Sequence, residues 1–323
     1  MRIALLSDLH VDMIPRRHRR AIMAEIADCM RARAIDVVVV AGDVASRMGP
    51  ILDTLPILAV GRLANLYVPG NHDVWRTEHE RDQGRTSFGG LTLLASRIAG
   101  TGFHYLPGSP IVVSEGPDRV GFAGMLGWYD YGFADPALGI PEETYRAKQW
   151  RNQTWQDRDH ATWVGYGGRW WADREVCAYF LAGLERDLRA LGLDEQGGGP
   201  PTIAVSHMLP FVELVYRDPD PEEGFFAAYL GSPLHGALLE RFPAIRAAFA
   251  GHTHRPQRNV RPSGMIAAVA PFGNFGEADF PENAIDRIGW FEMHGGRIVE
   301  RRGSELVEPA DAGSAPDRAA TAS

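Results

Sequence analysis

Cysteine and lysine are both scarce in this sequence. Cys29 and Cys177 are the only cysteines among 323 residues, and their wide separation matches neither a zinc site nor a disulfide framework. Lys148 is the only lysine, so arginine carries nearly all of the basic charge. The formal net charge of −8 at pH 7 lacks the basic footprint of a general nucleic-acid-binding protein. We therefore expect reduced thiols and do not expect nucleic acid as a partner.

Long hydrophobic runs are also missing. No apolar run approaches the length of a transmembrane helix, and the first strand-like run starts at Arg2, which leaves no room for a signal peptide. These features predict a cytoplasmic protein that contacts no membrane. A hydrophobic content of 45% with 23% charged residues is typical of a globular protein. The sequence does not indicate an oligomeric state.

Five short apolar runs each end in side chains that can bind a metal. Carboxylate, amide and imidazole groups follow these runs, at Asp8, His10, Asp43, Asn71, His207, His252 and His254. Because ligands of open α/β sheets bind at the carboxyl ends of strands, we expect these side chains to lie together. So many mixed oxygen and nitrogen donors exceed the needs of one four-coordinate ion. They suit two ions about 3.5–4 Å apart that share a carboxylate.

The motifs that contain these residues resemble those of the calcineurin-like metallophosphoesterase superfamily, from Met1 to about Ile298. In chain order they are D-x-H (Asp8, His10), G-D (Gly42, Asp43), G-N-H-D (Gly70 to Asp73), a lone His207 and G-H-x-H (Gly251 to His254). Each motif alone is a weak signal, but this order, with each motif closing a predicted strand, is specific. The resemblance implies a metal-dependent phosphoric ester hydrolase.

The resemblance also implies a role for each residue. The first metal ion would be held by Asp8, His10, Asp43 and His254. The second would be held by Asp43, Asn71, His207 and His252, so that Asp43 bridges the two ions. His72 would bind neither ion and would face the phosphate as the catalytic residue. Four imidazoles among the ligands favour two divalent ions of Mn, Fe, Zn or Co over Mg or Ca.

Position 46 departs from one branch of the superfamily. Protein Ser/Thr phosphatases resemble this pattern but carry an aspartate three residues after the bridging aspartate, where it orients the catalytic histidine. This chain has Ser46 there. The departure argues against that branch and leaves the residue that orients His72 open, with Asp73 as a local candidate.

Strand and helix patterns alternate over the first 70 residues, which predicts a parallel-rich sheet. Together with the resemblance, this predicts an α/β fold, a four-layer α-β-β-α sandwich of two mixed sheets in a single domain over residues 1–307. Strands at Ile266–Ala270, Ile288–Met293 and Arg297–Val299 are predicted to form the second sheet. Residues 308–323 contain almost no large apolar groups, so we expect a disordered tail.

An aromatic-rich helical insertion is predicted over about residues 128–200. The segment from Trp128 to Trp171 holds six of the eight tryptophans and four of the nine tyrosines. Helices are predicted over Glu142–Thr162 and Trp170–Leu191. The segment can be a packing layer with its own small core, or a cap that forms one wall of a substrate pocket, and both can hold together. The candidate substrate contacts are Trp128, Tyr129 and Tyr131, with the loop from Phe211 to Pro221 as the next candidate.

These patterns lead to one function and two alternatives. We expect hydrolysis of a phosphoester bond in a small organic phosphate or nucleotide, with phosphatase and phosphodiesterase activity both open. The first alternative is a nuclease on the same scaffold, which the acidic net charge disfavours. The second is a non-catalytic metal-binding scaffold, which would typically have lost ligands or the site histidine.

Overall fold

Two mixed β-sheets pack face to face, with helices on both outer sides. The computed structural model describes residues 1–217, 220–273, 285–302 and 305–307. The strands are β1 (Arg2–Leu6), β2 (Val37–Ala41), β3 (Ala64–Val68), β4 (His104–Tyr105), β5 (Ile111–Glu115), β6 (Asp118–Met125), β7 (Gln149–Trp150), β8 (Gln153–Thr154), β9 (Thr202–Ser206), β10 (Ile245–Ala250), β11 (Gln257–Val260), β12 (Ile266–Val269), β13 (Gly289–His294), β14 (Arg297–Arg302) and β15 (Glu305–Val307).

The two large sheets differ in strand order. The first has seven strands in the order β15-β14-β13-β1-β2-β3-β4, and the second has six in the order β11-β12-β10-β9-β6-β5. The α-helices are α1 (Arg16–Ala32), α2 (Met48–Leu58), α3 (Glu78–Asp82), α4 (Ser87–Ile98), α5 (Glu142–Ala147), α6 (Asp157–His160), α7 (Asp173–Ala190), α8 (Pro221–Phe226) and α9 (Pro233–Glu240). Within the described ranges, every helix is too short or too polar to span a bilayer.

Successive side chains along a strand alternate between two hydrophobic cores. In β1, Ile3 and Leu5 face the core between the two sheets, while Ala4 and Leu6 face the core shared with the helices. Helix α1 covers the first sheet with a buried apolar stripe that includes Ile22 and Ile26. The four-layer α-β-β-α sandwich predicted from the sequence is confirmed. Both cysteines are free, as expected.

Parallel pairing brings the carboxyl ends of key strands to one edge. Strands β1, β2 and β3 are parallel neighbours in the first sheet, and β6, β9 and β10 are parallel neighbours in the second. The loops that carry the candidate ligands leave from these ends. The segment after Met125 also leaves from this edge, at the end of β6, and returns at the start of β9. The aromatic insertion therefore begins beside the candidate ligands and ends at the opposite edge of the sheet, since β6 and β9 are parallel.

The prediction for the last strands was partly wrong. Strand β12 lies in the second sheet, but β13 and β14 belong to the first sheet, where β13 pairs antiparallel with β1. The physical reason is that β1 is buried on both faces and needs a partner on its outer side. Phe291 and Met293 of β13 then complete the core between the sheets.

The predicted helix over Glu142–Thr162 was also wrong, whereas the predicted helix over Trp170–Leu191 corresponds to α7. Helix α5 ends at Ala147 because Lys148 adopts a left-handed backbone with φ of 53°. The β7–β8 hairpin follows, and Arg151 in its turn is also left-handed. The predicted tail over residues 308–323 lies outside the described residues.

Candidate metal centre

The seven candidate ligands converge at the edge where the carboxyl ends of both sheets meet. One group of side chains that could hold an ion comprises Asp8, His10, Asp43 and His254, and a second comprises Asp43, His207 and His252. Within each group, one ligand atom per residue lies within 4.8 Å of the others. Asn71 joins the second group, since its Oδ1 lies 3.1 Å from His207 Nε2. The structure thus brings together all seven side chains singled out in the sequence.

The Asp43 carboxylate belongs to both groups. Its Oδ2 lies 3.2 Å from His207 Nε2, 3.8 Å from His10 Nε2 and 3.9 Å from His72 Nε2. Although burial raises the pKa of Asp43, the surrounding imidazoles hold it well below its ordinary value. Asp43 is therefore an anion at neutral pH, in the position from which one carboxylate can bridge two cations.

The backbone at five of these residues is left-handed. The φ values are 52° at Asp8, 38° at His10, 54° at Asp43, 76° at His252 and 52° at His254. A non-glycine residue in this conformation costs on the order of 1–3 kcal/mol, and such residues cluster at functional sites. These turns redirect the chain after β1, β2 and β10 so that the side chains that follow point into the shared edge.

Glycine is required where the loops touch. A Cβ atom on Gly70 would lie 2.1 Å from Asp43 Oδ1, which no side chain tolerates. At Gly42 the backbone φ is +86°, and a Cβ atom there would lie only 2.6 Å from His207 Nδ1. The glycines of the G-D and G-N-H-D motifs therefore allow the β2, β3 and β9 ends to approach each other.

The hydrogen bonds of His207 leave one ring nitrogen for an ion. Its Nδ1 lies 2.8 Å from the Ala41 carbonyl oxygen, so Nδ1–H donates there and Nε2 faces Asp43. Burial lowers the pKa of His207, but the Asp43 carboxylate, together with Asp8, outweighs burial and raises it to about 9. In the absence of a cation, a proton on His207 therefore balances the buried negative charge.

The donor set fits two divalent cations. The side chains of Asp8, Asp43, His207, Asn71 and His10 are all 1% exposed or less. Imidazole nitrogens face each other without an apolar spacer, with 2.9 Å between His10 Nε2 and His254 Nε2. Burying this many polar groups in one spot is costly unless cations compensate them. Carboxylate, amide carbonyl and imidazole groups are all common donors to divalent ions in proteins.

His72 stands beside the ligand groups and is oriented by Ser46. Ser46 Oγ lies 3.2 Å from His72 Nδ1. The indole of Trp75 stacks on the His72 ring at 3.6 Å between centroids. Burial lowers the pKa of His72 below its ordinary value, so the ring is neutral near pH 7. The position that departs from the Ser/Thr phosphatase branch thus still supplies the contact to the histidine, with a neutral hydroxyl in place of a carboxylate.

Asp73, the local candidate for orienting His72, has a different role. Its carboxylate accepts hydrogen bonds from the backbone N–H groups of Asp43, Val44, Ala45 and Gly70, and from the Tyr67 hydroxyl. These bonds tie the loop after β2 to the loop after β3. Asp73 therefore shapes the backbone that carries Asp43, whereas the side chain beside His72 Nδ1 is that of Ser46.

A pocket of about 360 Å³ opens beside this centre. Its lining combines Asp43, Asn71, His72, His252 and His254 with Trp75, Trp155, Gln156, Tyr216, Phe226, Ala227, Leu230, Thr253 and Arg255. The guanidinium carbon of Arg255 lies 3.7 Å from the Tyr216 ring centroid. One wall of the pocket is thus aromatic and apolar, and another carries a positive charge.

The insertion reaches this pocket through residues other than those expected. Trp128, Tyr129 and Tyr131 are buried, and they bond to Asp157 or Asp173 inside the insertion instead of lining the pocket. The insertion contributes Trp155 and Gln156 to the wall. The segment named from composition therefore lines this pocket through Trp155 and Gln156, and Trp128, Tyr129 and Tyr131 are not among its lining residues. Tyr216 does lie within the loop named as the next candidate.

Known proteins resemble this chain in family and in fold. The calcineurin-like phosphoesterase family matches residues 1–256. No curated protein sequence matches the chain. Among solved structures, the phosphopantetheinyl hydrolase of Mycobacterium tuberculosis is 20% identical with a TM-score of 0.65, covering 84% of this chain and 89% of that one. A dimetal phosphatase from Danio rerio is 14% identical with a TM-score of 0.49, covering 93% and 95%. The extent of the family match over the ligand-bearing strands shows that the chain belongs to the calcineurin-like phosphoesterase family of metal-dependent hydrolases.

Proposed function

We propose that this hydrolase cleaves a phosphoester bond in a small organic phosphate or nucleotide, and that two divalent transition-metal ions bind at the candidate metal centre. The observation that carries the proposal is the position of Asp43, shared by two ligand groups at the base of a pocket. Asp8, His10 and His254 complete one ion site, and Asn71, His207 and His252 complete the other. Four imidazoles among these ligands favour Mn, Fe, Zn or Co.

The residues around the ions divide the work. Bound ions of this kind supply Lewis acidity towards phosphoryl oxygens and a nucleophile at neutral pH. His72 is the catalytic residue of the protein itself. If the Ser46 hydroxyl donates to Nδ1, then Nε2–H of the neutral ring points towards the centre, where it donates to a phosphoryl or leaving-group oxygen. Trp75 holds the ring from its other face.

The pocket supports a small substrate over a polymer. Its volume of about 360 Å³ is within the range of small-molecule sites. Trp155, Trp75 and Phe226 offer flat or apolar surface to an organic leaving group, and Arg255 offers a charge to a second anionic group. The net charge of −8 disfavours the nuclease alternative.

A substrate panel with metal control tests the proposal. The purified protein, stripped of metal and reloaded with Mn²⁺, is assayed on nitrophenyl phosphate, bis-nitrophenyl phosphate, nucleotides and single-stranded DNA. We expect turnover of the small esters, dependence on the ion and little cleavage of DNA. Asp43→Asn should weaken both ion sites together and reduce turnover to background, whereas Asp173→Asn, a change of another buried carboxylate, should leave ion binding intact. Full turnover in excess chelator, or a folded protein that binds no metal, would refute the proposal.

A further inference from the structure

One buried carboxylate of the insertion sits directly behind the candidate metal centre. Asp157, at the start of α6, is 1% exposed. Its Oδ1 lies 3.0 Å from Asn71 Nδ2 and 2.5 Å from Trp75 Nε1. Its Oδ2 lies 2.8 Å from Trp155 Nε1 and 3.2 Å from the Tyr129 hydroxyl. Every group around this carboxylate is a donor, so both of its oxygens are used as acceptors.

This arrangement determines which way the Asn71 amide faces. An amide presents an N–H₂ donor on one side and a carbonyl acceptor on the other, whereas an ionised carboxylate only accepts. The Asn71 N–H₂ group must therefore face Asp157. Its carbonyl oxygen then faces the second ligand group, 3.1 Å from His207 Nε2. Only this orientation offers an oxygen to a cation, because an amide nitrogen is a poor ligand for it.

The same carboxylate also holds two rings of the pocket. Trp75 stacks on His72, and Trp155 packs edge-on against His252 with 5.6 Å between ring centroids. Both indoles are fixed by their N–H groups at Asp157. The scaffold strands thus supply the ligand Asn71, but the insertion supplies the group that orients it.

We propose that Asp157 is a positioning residue that orients the Asn71 amide for the second metal ion and aligns Trp75 and Trp155 beside it. The inference rests on the proposed function, because it assigns an ion to the site that Asn71 shares with Asp43, His207 and His252. It makes the insertion a part of the metal centre and not only a wall of the pocket.

Asp157→Asn is the sharpest variant because it keeps the shape and removes the all-acceptor character. If the new N–H₂ group faces Asn71, that amide can turn over and present nitrogen to the ion. If it faces the other way, it meets the Trp155 N–H. Groups that orient metal ligands are typically worth about 10–100-fold in affinity. We therefore expect the second ion to bind about 10–100-fold more weakly, with the first ion unaffected.

Asp173→Asn is the matched control. Asp173 is also a buried carboxylate of the insertion, and it accepts from Trp128 Nε1 at 2.8 Å, from the Tyr131 hydroxyl and from Lys148 Nζ at 2.6 Å. It contacts none of the candidate ligands among the described residues. Both variants should lower the melting temperature of the metal-free protein, but only Asp157→Asn should affect ion binding.

The readout is calorimetric titration of metal-free protein with Mn²⁺, which needs no substrate. The double exchange Asn71→Asp with Asp157→Asn is a rescue, because a carboxylate at position 71 offers an oxygen in either orientation and accepts from Asn at position 157. It should regain the second ion.

Wild-type affinity for both ions in Asp157→Asn, or an equal loss in Asp173→Asn, would overturn the inference. If Asp157→Asn does not fold, a folded double exchange with two ions supports it and an unfolded one overturns it. Wild-type protein that binds no ions would instead refute the proposed function.

Discussion

The edge that carries the seven candidate ligands lies beside the start of the aromatic insertion. The two regions differ in how closely the local sequence determines where a side chain lies. At the edge, each candidate ligand comes within a few residues of a buried parallel strand, so its place is determined locally. In the insertion, similar rings have different surroundings: Trp128 is fully buried, Trp155 lines the pocket and Trp170 is 65% exposed. Motifs at strand ends therefore predict where individual side chains lie. A concentration of aromatic residues does not by itself identify which ring lines a pocket.

The largest effect is expected at His72, where a substitution should lower kcat without changing ion binding. His72→Ala should lower kcat by roughly 10²–10⁴, the usual contribution of a positioned acid or base. Metal content should stay near that of the wild type, since His72 lies outside both ligand groups. Elemental analysis beside steady-state kinetics checks both expectations, and loss of metal in this variant would mean that His72 is itself a ligand.

Ser46→Ala, which removes only the contact to Nδ1, should lower kcat by up to about 10²-fold through misplacement of the His72 ring.

The edge that carries the candidate ligands should also respond to pH, through His207. The pKa of His207 is raised to about 9 in the metal-free protein, and an ion needs the neutral imidazole. Affinity of the second ion should therefore rise by about tenfold per pH unit from about pH 7 and level off above about 9.

The same raised pKa has a consequence for stability without metal. Because the folded pKa lies above the ordinary value of 6.5, protonation of His207 stabilises the metal-free protein fully below about pH 6.5. That contribution should disappear as the pH rises through about 9. Co²⁺ titrations and thermal melts across this window check both effects, and an affinity independent of pH would contradict them.

Two tryptophans of the insertion have different surroundings, because Trp155 lines the pocket and Trp128 is buried inside the insertion. Substitutions at the two positions should therefore have different effects. Trp155→Ala should lower kcat/KM for the best substrate by about 5–150-fold if a planar group stacks there, which corresponds to about 1–3 kcal/mol. It should spare a minimal activated phosphoester. Trp128→Phe removes the bond to Asp173 within the core, so it should lower the melting temperature and leave kcat/KM unchanged. Equal losses on both substrates for Trp155→Ala would assign this ring to the fold alone.

The smallest effect concerns the end of the chain. Removal of residues 308–323 should change neither the melting temperature nor the activity, because their composition offers little apolar surface to bury. A clear fall in either quantity would show that this segment docks on the domain.

The sequence predicted which side chains lie together at this edge because spacing from a buried strand is a local property. The apolar runs that precede Asp43, Asn71 and His207 place each of these residues at a strand end. Asp157 could not be identified in this way, since its partner Asn71 lies 86 positions away and nothing local distinguishes it from Asp173. Ser46 was noticed only as a departure, because its contact with His72 joins two residues 26 positions apart in the chain.

The sequence also failed to predict which strands pair over long distances along the chain. The sheet that receives β13 depends on which strand has a free side, and β1 is almost the whole chain away. The predicted helix at α5 was too long because the chain turns at two left-handed residues, Lys148 and Arg151. Lysine and arginine are not residue types that usually signal the end of a helix. Both misses concern tertiary context that overrides local pattern.

The pairing of β1 with β13 has a consequence for synthesis. Arg2 lies opposite Glu292, so β1 leaves the ribosome about 290 residues before its partner β13. At about 5–20 residues per second, this delay is roughly 15–60 s. During that time β1, β2 and β3 can associate, but one side of a strand that is apolar on both faces stays open. The nascent chain therefore carries an unpaired, aggregation-prone edge on β1 until β13 has been synthesised.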